Sequence, residues 1–326
     1  MAIDEPSSPL PALDIPVIDI SGYLAGDIKA TKTIALQLNA AAQAPGFFQI
    51  VGHDIPADLR ETLLDRVVAF FALPADQKNA LHRNNSKALR GFETLGEQQL
   101  EPGYADVKEG FMVGAEVESK NARFLQGPNQ WPAKGQGDGL EGTFMEYFHK
   151  MRDLSRIMFR LVALSLSLDE SFFDDFASGQ DSIAMCRAHM YPPVSLEASL
   201  KSRGIGAHTD FGALTLLLQD DVGGLEVFHR KTETWHPVKV VKDAFVVNVG
   251  DMLERWTNNH YTSSLHRVTS PISDKYRYSV AFFNEGLLDQ TIECIPTCLA
   301  DGEIPLYEAV RVEEHLRQRY GSSYLV

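Results

Sequence analysis

A histidine and an aspartate with one residue between them lie at the start of an apolar run, in the stretch GAHTDFGALTLLLQD at residues 206–220. Side chains two positions apart on a β-strand point to the same face, so His208 and Asp210 would present an imidazole and a carboxylate side by side. Both groups are common metal ligands. An H-x-D pair also arises by chance in a chain with ten histidines. A metal site therefore requires a third ligand.

The best third ligand is His266, in the segment SSLHRVTS, which is predicted to form another strand. Two histidines and one carboxylate on one face of a metal ion leave three positions open, an arrangement typical of non-haem Fe(II) oxygenases. Zinc stays an alternative, because it binds the same side chains, usually with a fourth ligand or a hydrolytic water. The spacing predicts a metal site and favours iron.

A second pair with the same spacing, Arg277 and Ser279 in DKYRYSVAFF, follows on the next predicted strand. Their guanidinium and hydroxyl groups would point to the same face. A guanidinium aimed into a barrel must meet an acid, because an unpaired buried charge is too unfavourable to keep. A small dicarboxylate bound in a bidentate manner would satisfy it.

The elements that must position these residues follow from hydrophobic periodicity. The first part of the chain predicts a mixture of strands and helices, and the best amphipathic pattern carries Phe144, Tyr147, Met151 and Leu154 on one face. The predicted elements are a strand at 15–20, a helix at 28–44, a strand at 47–53, a helix at 56–81 broken at Pro74, an irregular stretch at 101–140 and a helix at 142–168.

From residue 183 onward the pattern changes to seven or more short β-rich runs separated by turn residues. Such runs predict a sandwich or a jelly-roll barrel, with the earlier helices packed outside it. A final helix is predicted at about 306–319. We therefore expect one α+β fold with a mostly β core, divided into an N-terminal helical and mixed region at 1–182 and a catalytic core at 183–326.

Composition excludes several classes of protein. The chain has 326 residues, is 44% hydrophobic and carries a formal net charge of −14. It has no basic stripe that could neutralise phosphates, so we expect no nucleic acid and no membrane partner, and a small-molecule substrate instead. Three cysteines without zinc-finger spacing indicate a reducing compartment, and the N-terminus lacks a signal peptide. We expect a cytoplasmic monomer or weak homo-oligomer.

These motifs and their order resemble the isopenicillin N synthase-like family of Fe(II)- and 2-oxoglutarate-dependent oxygenases. The resemblance covers nearly the whole chain and rests on the joint pattern of IPVIDIS, GFFQIVGHDIP, RAHMYPP, HTDFGALTLLLQD and RYSVAFF. It implies a double-stranded β-helix, or jelly roll. It also implies that His208, Asp210 and His266 bind Fe(II), and that Arg277 and Ser279 hold the distal carboxylate of 2-oxoglutarate.

The resemblance assigns two further residues to the cosubstrate. Tyr191 would donate a hydrogen bond to 2-oxoglutarate. His189 stands where the family often has an asparagine that touches the metal-side carboxylate, so it either supplies this contact or is a hydrogen-bonded core histidine. The implied reaction consumes 2-oxoglutarate and O2, releases succinate and CO2, and oxidises a small organic molecule by hydroxylation, desaturation or ring rearrangement, as in secondary metabolism.

An oxygenase must shield its reactive centre from water, which favours an apolar wall and a hydrophobic or aromatic substrate. Lys108, Glu109 and Arg267 are interpreted as structural ion-pair partners. The candidate wall residues, each of which could equally be core, are Phe111, Met190, Trp256, Phe283 and the loop at 90–92.

Three alternatives stay open. An iron oxidase of the same fold that does not use 2-oxoglutarate would also keep Arg277 and Ser279. A noncatalytic jelly-roll binding protein would need no open metal face. A metal-dependent hydrolase could share two histidines and a carboxylate, but would leave Arg277 unexplained.

Overall fold

The structure is a computed structural model that describes residues 13, 15–118, 120, 122–179 and 181–323. Its helices are α1 (Ser21–Leu24), α2 (Ile28–Gln43), α3 (Ala57–Phe71), α4 (Ala75–Asn79), α5 (Leu140–Ser165), α6 (Asp174–Ser178), α7 (Leu196–Ser199), α8 (Asp251–Trp256) and α9 (Val312–Ser323). Among the described residues, no helix is both long and apolar enough to cross a bilayer.

The strands build two larger sheets and two short ribbons. They are β1 (Val17–Asp19), β2 (Phe47–Val51), β3 (Gly91–Glu93), β4 (Ala105–Asp106), β5 (Glu109–Gly114), β6 (Ile183–Tyr191), β7 (Ser202–Arg203), β8 (Ile205–His208), β9 (Leu214–Gln219), β10 (Leu225–His229), β11 (Thr234–Pro237), β12 (Phe245–Val249), β13 (His266–Val268), β14 (Arg277–Gly286), β15 (Thr291–Ile292) and β16 (Val310–Arg311). The main sheet runs β1-β2-β12-β9-β14-β6-β5-β3, and the small sheet runs β11-β10-β13-β8.

The two sheets form the predicted α+β jelly-roll core. A cavity between them is lined from the main sheet by β6, β9, β12 and β14 and from the small sheet by β8, β10 and β13. The main sheet joins both parts of the chain, because β2 pairs with β12 in antiparallel register. The division at residue 182 stays a prediction.

Helix α5 covers the outer face of the main sheet, as its periodicity predicts. The four side chains of its predicted apolar face, Phe144, Tyr147, Met151 and Leu154, are buried, each at most 1% exposed. The helix contacts β6, β9 and β14 on one side and the helices α2, α3 and α6 on the other. The face of the main sheet that turns away from α5 is thereby left for the cavity.

Three predicted boundaries are wrong. The C-terminal helix begins at Val312 rather than near 306. The stretch at 101–140 contains β5, which pairs with β6 along six residues. Its sequence EGFMVG is buried at five of six positions and lacks the polar alternation that marks a half-exposed strand. The run at 206–220 is two strands, β8 and β9, separated by bends at 209–213.

Candidate functional site

His208, Asp210 and His266 converge at one end of the small sheet. His208 ends β8 and His266 begins β13, and the antiparallel register places these two residues directly opposite each other. Asp210 lies in the bend after β8 rather than on the strand as predicted. Its Oδ1 is 3.6 Å from Nε2 of each histidine. The three groups offer ligand atoms that all lie within 4.8 Å of one another, a separation that one metal ion can bridge.

Backbone carbonyls fix the orientation of both imidazoles. Nδ1 of His208 donates to the Gly206 carbonyl oxygen at 2.8 Å, and Nδ1 of His266 donates to the Ser264 carbonyl oxygen at 3.0 Å. A carbonyl oxygen only accepts, so each Nδ1 carries the proton and each Nε2 presents a lone pair. This second hydrogen bond is typical of histidines that bind metals.

Two neutral donors orient the carboxylate of Asp210. Its Oδ2 accepts hydrogen bonds from Oγ1 of Thr215 at 2.5 Å and from Nδ2 of Asn248 at 2.7 Å. Both donors lie on strands of the main sheet, so the aspartate bridges the two sheets. Oδ1 is left facing the two Nε2 atoms. The free donor atoms thus number two nitrogens and one oxygen, which fits Fe(II) with open positions.

Burial affects the charge state of two of the three side chains, His208 and Asp210. Burial, with the nearby His266 adding to it, lowers the pKa of His208 to about 3. Burial also acts to raise the pKa of Asp210, but the two histidines and the hydrogen bonds from Asn248 and Thr215 bring it below its ordinary value. Neutral imidazole and ionised carboxylate are the forms that bind a metal.

Arg277 and Ser279 lie at the start of β14 and face the cavity between the sheets, which we call the Arg277 cavity. Both are fully buried, at 0% and 1% exposure. Nη1 of Arg277 lies 3.4 Å from Oγ of Ser279, and Nη2 donates to Oε1 of Gln219 at 3.2 Å. The guanidinium stacks 4.7 Å from the centre of the Tyr191 ring.

The Arg277 guanidinium has no acidic partner in the described part of the chain, because no carboxylate there lies within 4.0 Å of it. Its buried Nε makes no hydrogen bond to a described residue. An uncompensated buried cation is unfavourable, so the site fits a bound carboxylate. The Arg277 cavity contains about 470 Å³ of empty space, part of it open to solvent, and is lined, among others, by His189, Tyr191, His208, Asp210, His266, Arg277, Ser279 and Phe283.

A second cavity adjoins His208 and Asp210, and we call it the Glu285 cavity. It contains about 550 Å³ of empty space, part of it open to solvent, and shares His189, Ile205, His208, Asp210 and Phe283 with the first. Its remaining lining, which the sequence did not single out, comprises Gln98, Leu100, Met112, Arg187, Thr209, Phe211, Glu285 and Tyr320. The wall is thus more polar than predicted.

His189 lines both cavities. Its ring is buried, and Nε2 makes no hydrogen bond to a described residue. Burial, with the charges of Arg187, Lys108 and Arg277 adding to it, lowers the pKa of His189 well below its ordinary value. The side chain is therefore a neutral imidazole whose Nε2 has no hydrogen-bond partner among the described residues.

Three of the four predicted wall residues lie elsewhere. Phe111 packs on Phe70, with ring centroids 4.3 Å apart. Trp256 packs on Phe176 at 4.7 Å, beneath the outer helices. Met190 follows His189 on β6, and the alternation of faces turns it away from both cavities. Neither cavity is lined by the loop at 90–92. Of the four, Phe283 alone lines them.

The three residues interpreted as ion-pair partners are indeed paired. Lys108 lies 3.1 Å from Glu93, and Glu109 lies 2.6 Å from Lys78. Arg267 lies 2.7 Å from Glu226.

Comparison with known proteins agrees with this geometry. Residues 15–134 match the family described as non-haem dioxygenase in morphine synthesis N-terminal, and residues 182–286 match the 2OG-Fe(II) oxygenase superfamily. The 2-oxoglutarate-Fe(II) type oxidoreductase hxnY of Emericella nidulans is 39% identical over 317 residues, which are 95% of this chain and 90% of that relative. The chain belongs to the 2OG-Fe(II) oxygenase superfamily.

Other relatives and structures resemble the oxygenase over nearly its full length. Clavatol oxidase claD of Penicillium crustosum is 33% identical over 335 residues, 97% of the chain and 98% of the relative. A full-length Neurospora crassa protein, solved in complex with alpha-KG, is 28% identical and has a TM-score of 0.86, with 98% of this chain and 99% of that chain covered. A further complex of the Neurospora crassa protein contains thymine, with a TM-score of 0.86, 28% identity and coverage of 97% and 98%.

The oxygenase is therefore a 2-oxoglutarate-dependent dioxygenase of the predicted kind, with Fe(II), 2-oxoglutarate and O2 as its cofactor and cosubstrates. It oxidises a small organic molecule, and its fungal relatives fit a place in secondary metabolism. The alternatives of a hydrolase and of a noncatalytic binding protein are not supported.

Proposed function

We propose that the oxygenase binds Fe(II) through Nε2 of His208, Oδ1 of Asp210 and Nε2 of His266. The observation that carries this proposal is the convergence of these three atoms, with every other polar atom of the three side chains engaged by the protein. Asn248 and Thr215 hold the carboxylate, and backbone carbonyls hold the imidazoles.

The cosubstrate is proposed to lie in the Arg277 cavity. Arg277 and Ser279 bind the distal carboxylate of 2-oxoglutarate, and Tyr191, whose ring lies under the guanidinium, donates a further hydrogen bond. His189 offers Nε2 to the metal-side carboxylate, in place of the asparagine that is frequent in the family. Support comes from the absence of a protein acid near Arg277 among the described residues and from the unused nitrogen of His189.

When bound, Fe(II) and 2-oxoglutarate supply the chemistry, in which O2 and 2-oxoglutarate yield succinate and CO2 while the substrate is oxidised by two electrons. The protein binds and orients the reactants. Phe283 lies at the junction of the two cavities, where its ring excludes water from the space between cosubstrate and substrate.

The substrate is proposed to occupy the Glu285 cavity. Its lining combines apolar and aromatic side chains with a few polar groups, as is typical of sites for small organic molecules. The Neurospora crassa complexes with thymine and with 5-formyluracil support a compact polar ring compound as the substrate. The similarity to clavatol oxidase supports an aromatic natural product instead. The polar groups of the cavity favour the first of these.

The proposed metal site is tested with the substitution His208→Ala. We expect turnover, measured as succinate release from 2-oxoglutarate under air, to fall to background, because one of three ligands is lost. The matched control is His149→Ala, since His149 is an exposed histidine on α5. Succinate release by His208→Ala at the level of the control would contradict the assignment.

We further propose that the oxygenase works in the cytoplasm as a monomer or weak homo-oligomer, without nucleic acid or membrane partners. The net charge of −14 supports this, because it opposes binding to polyanions. Light scattering at micromolar concentration tests the oligomeric state, and a stable tetramer would contradict it.

A further inference from the structure

Glu285 is a buried acid that the protein itself leaves partly unbonded. It is 2% exposed, and its side chain lines the cavity that bears its name. Oε1 receives one long hydrogen bond, 3.4 Å from the Tyr320 hydroxyl, and Oε2 has no hydrogen-bond partner among the described residues. A buried carboxyl oxygen without a partner is unfavourable. The fold alone gives no reason for an acid here.

No cation compensates Glu285 in the described part of the chain, where no lysine, arginine or histidine nitrogen lies within 4.0 Å of its carboxyl group. Arg187 shares the cavity but forms an ion pair with Glu93. Burial, with a smaller contribution from the charge of Asp210, raises the pKa of Glu285 to about 8. At neutral pH the side chain is mainly a carboxylic acid, with one donor and one acceptor side by side.

The surroundings of Glu285 define the shape of its ligand. Phe283 precedes it on the same face of β14, and Phe211 follows the metal ligand Asp210 in the bend. Both aromatic rings line the cavity, so a flat molecule would pack between apolar surfaces. Oε2 lies against the same bend, 2.9 Å from the place that a Cβ on Gly212 would take. The acid is therefore held beside the metal ligands.

We propose that Glu285 is the specificity-determining residue of the oxygenase and selects a neutral ring compound whose edge carries an N–H donor next to a carbonyl acceptor, as in a cyclic amide. The carboxyl group pairs with both atoms of that edge. This inference rests on the proposed function, since it assumes that the substrate occupies the Glu285 cavity. An ionised carboxylate at Glu285 would have no donor for the carbonyl of such a ring. An amine cation, in contrast, would require Glu285 to be ionised.

Binding to the full chain loaded with Fe(II) and 2-oxoglutarate without oxygen tests the proposal, with the visible absorption band of the complex as readout. The probes are 2-pyridone and uracil, their N-methylated counterparts, and benzylamine. We expect the two cyclic amides to perturb the band, and N-methylation to weaken binding about tenfold or more, because a site built for a hydrogen bond rejects the analogue without it.

Two substitutions separate the possible roles of the acid. Glu285→Gln keeps one donor and one acceptor side by side, so we expect it to bind the cyclic amides within about fivefold of wild type. Glu285→Leu removes both groups, and we expect a loss of about tenfold or more. The matched control is Glu293→Leu, which removes an exposed acid directly after β15 and should bind like wild type.

Each contrary outcome overturns the inference. If Glu285→Leu binds the cyclic amides like wild type, the acid does not select the substrate. If benzylamine binds and both Glu285 variants lose it equally, the ligand is a cation. If wild type ignores both cyclic amides, this substrate class is wrong. The band without any probe tests the proposed function separately. If the protein forms the band but the probes do not change it, only this inference is contradicted.

Discussion

Arg277 and Glu285 project from the same face of one strand, β14, and each lines a different cavity beside the metal ligands. Phe283 lies on that face and lines both cavities. Because alternate side chains of a β-strand point to the same face, these side chains lie in one row. Arg277 is at one end, Glu285 is at the other, and the aromatic ring of Phe283 lies between them. In the proposed arrangement, this row places cosubstrate and substrate on opposite sides of His208 and Asp210.

Arg277→Leu should mainly raise the KM for 2-oxoglutarate. Loss of a bidentate, charge-assisted contact is expected to weaken binding by about 2–3 kcal/mol, or about 30- to 150-fold, with a smaller effect on kcat at saturation. Steady-state succinate release at varied 2-oxoglutarate measures both constants. Arg317→Leu, an exposed arginine on α9, is the control. Full activity of Arg277→Leu without added 2-oxoglutarate would instead favour an iron oxidase of the same fold.

Asn248→Leu should weaken the affinity for Fe(II) by about 10- to 100-fold, because it removes the donor that holds Oδ2 of Asp210 at 2.7 Å. Anaerobic titration with Fe(II) at fixed 2-oxoglutarate, followed by the absorption band, gives the apparent Kd. Asn85→Leu serves as a control, since its side chain bonds only the exposed Ala80 carbonyl. An Asn248→Leu titration that overlays wild type would show that the hydrogen bond does not orient the ligand.

Glu93→Gln should destabilise the fold by about 3–5 kcal/mol. The carboxylate of Glu93 lies between two buried cations, Lys108 and Arg187, and removal of its charge takes away an anion that both of them contact. Urea unfolding followed by circular dichroism measures the change. Glu118→Gln breaks an exposed pair with Lys120 and should change the unfolding free energy by less than about 0.5 kcal/mol. Equal effects of the two substitutions would contradict this account.

Gly286→Ala should destabilise the protein by about 2–4 kcal/mol. Gly286 has φ of +69°, and a Cβ there would lie 1.8 Å from the ring of Phe176. The substitution therefore adds overpacking to backbone strain. Gly302→Ala has a similar φ of +79° but open space around the new methyl, so it should lose only about 1 kcal/mol. Urea unfolding compares them, and equal losses would show that contact with Phe176 is unimportant.

The sequence predicted the convergence of His208, Asp210 and His266 and the shared face of Arg277 and Ser279. His208 and Asp210, like Arg277 and Ser279, are two positions apart, and His266 was chosen as the histidine of a further predicted strand. It failed on Phe111 and Trp256 because hydrophobicity marks a side chain as buried without saying in which layer. The α5 side of the main sheet and the cavity side are both apolar. Met190 could have been excluded from the cavity wall, because it lies between His189 and Tyr191 on β6 and therefore points to the opposite face.

Glu285 was missed for a different physical reason. An acid is seldom buried without a partner, so it was not expected inside the core. The signal was nevertheless present, because the alternation that pairs Arg277 with Ser279 continues through Phe283 to Glu285. Phe211 and Arg187 were equally close to predicted site residues. Phe211 lies beside Asp210, and Arg187 lies two positions before His189.

The most direct test of the account is the visible absorption of the oxygenase after addition of Fe(II) and 2-oxoglutarate without oxygen. Chelation of 2-oxoglutarate to Fe(II) held by His208, Asp210 and His266 should produce a charge-transfer band in wild type, and His208→Ala should lose it while His149→Ala retains it. A wild-type protein that shows no band, or a band of equal intensity in His208→Ala, would contradict the proposed metal and cosubstrate site.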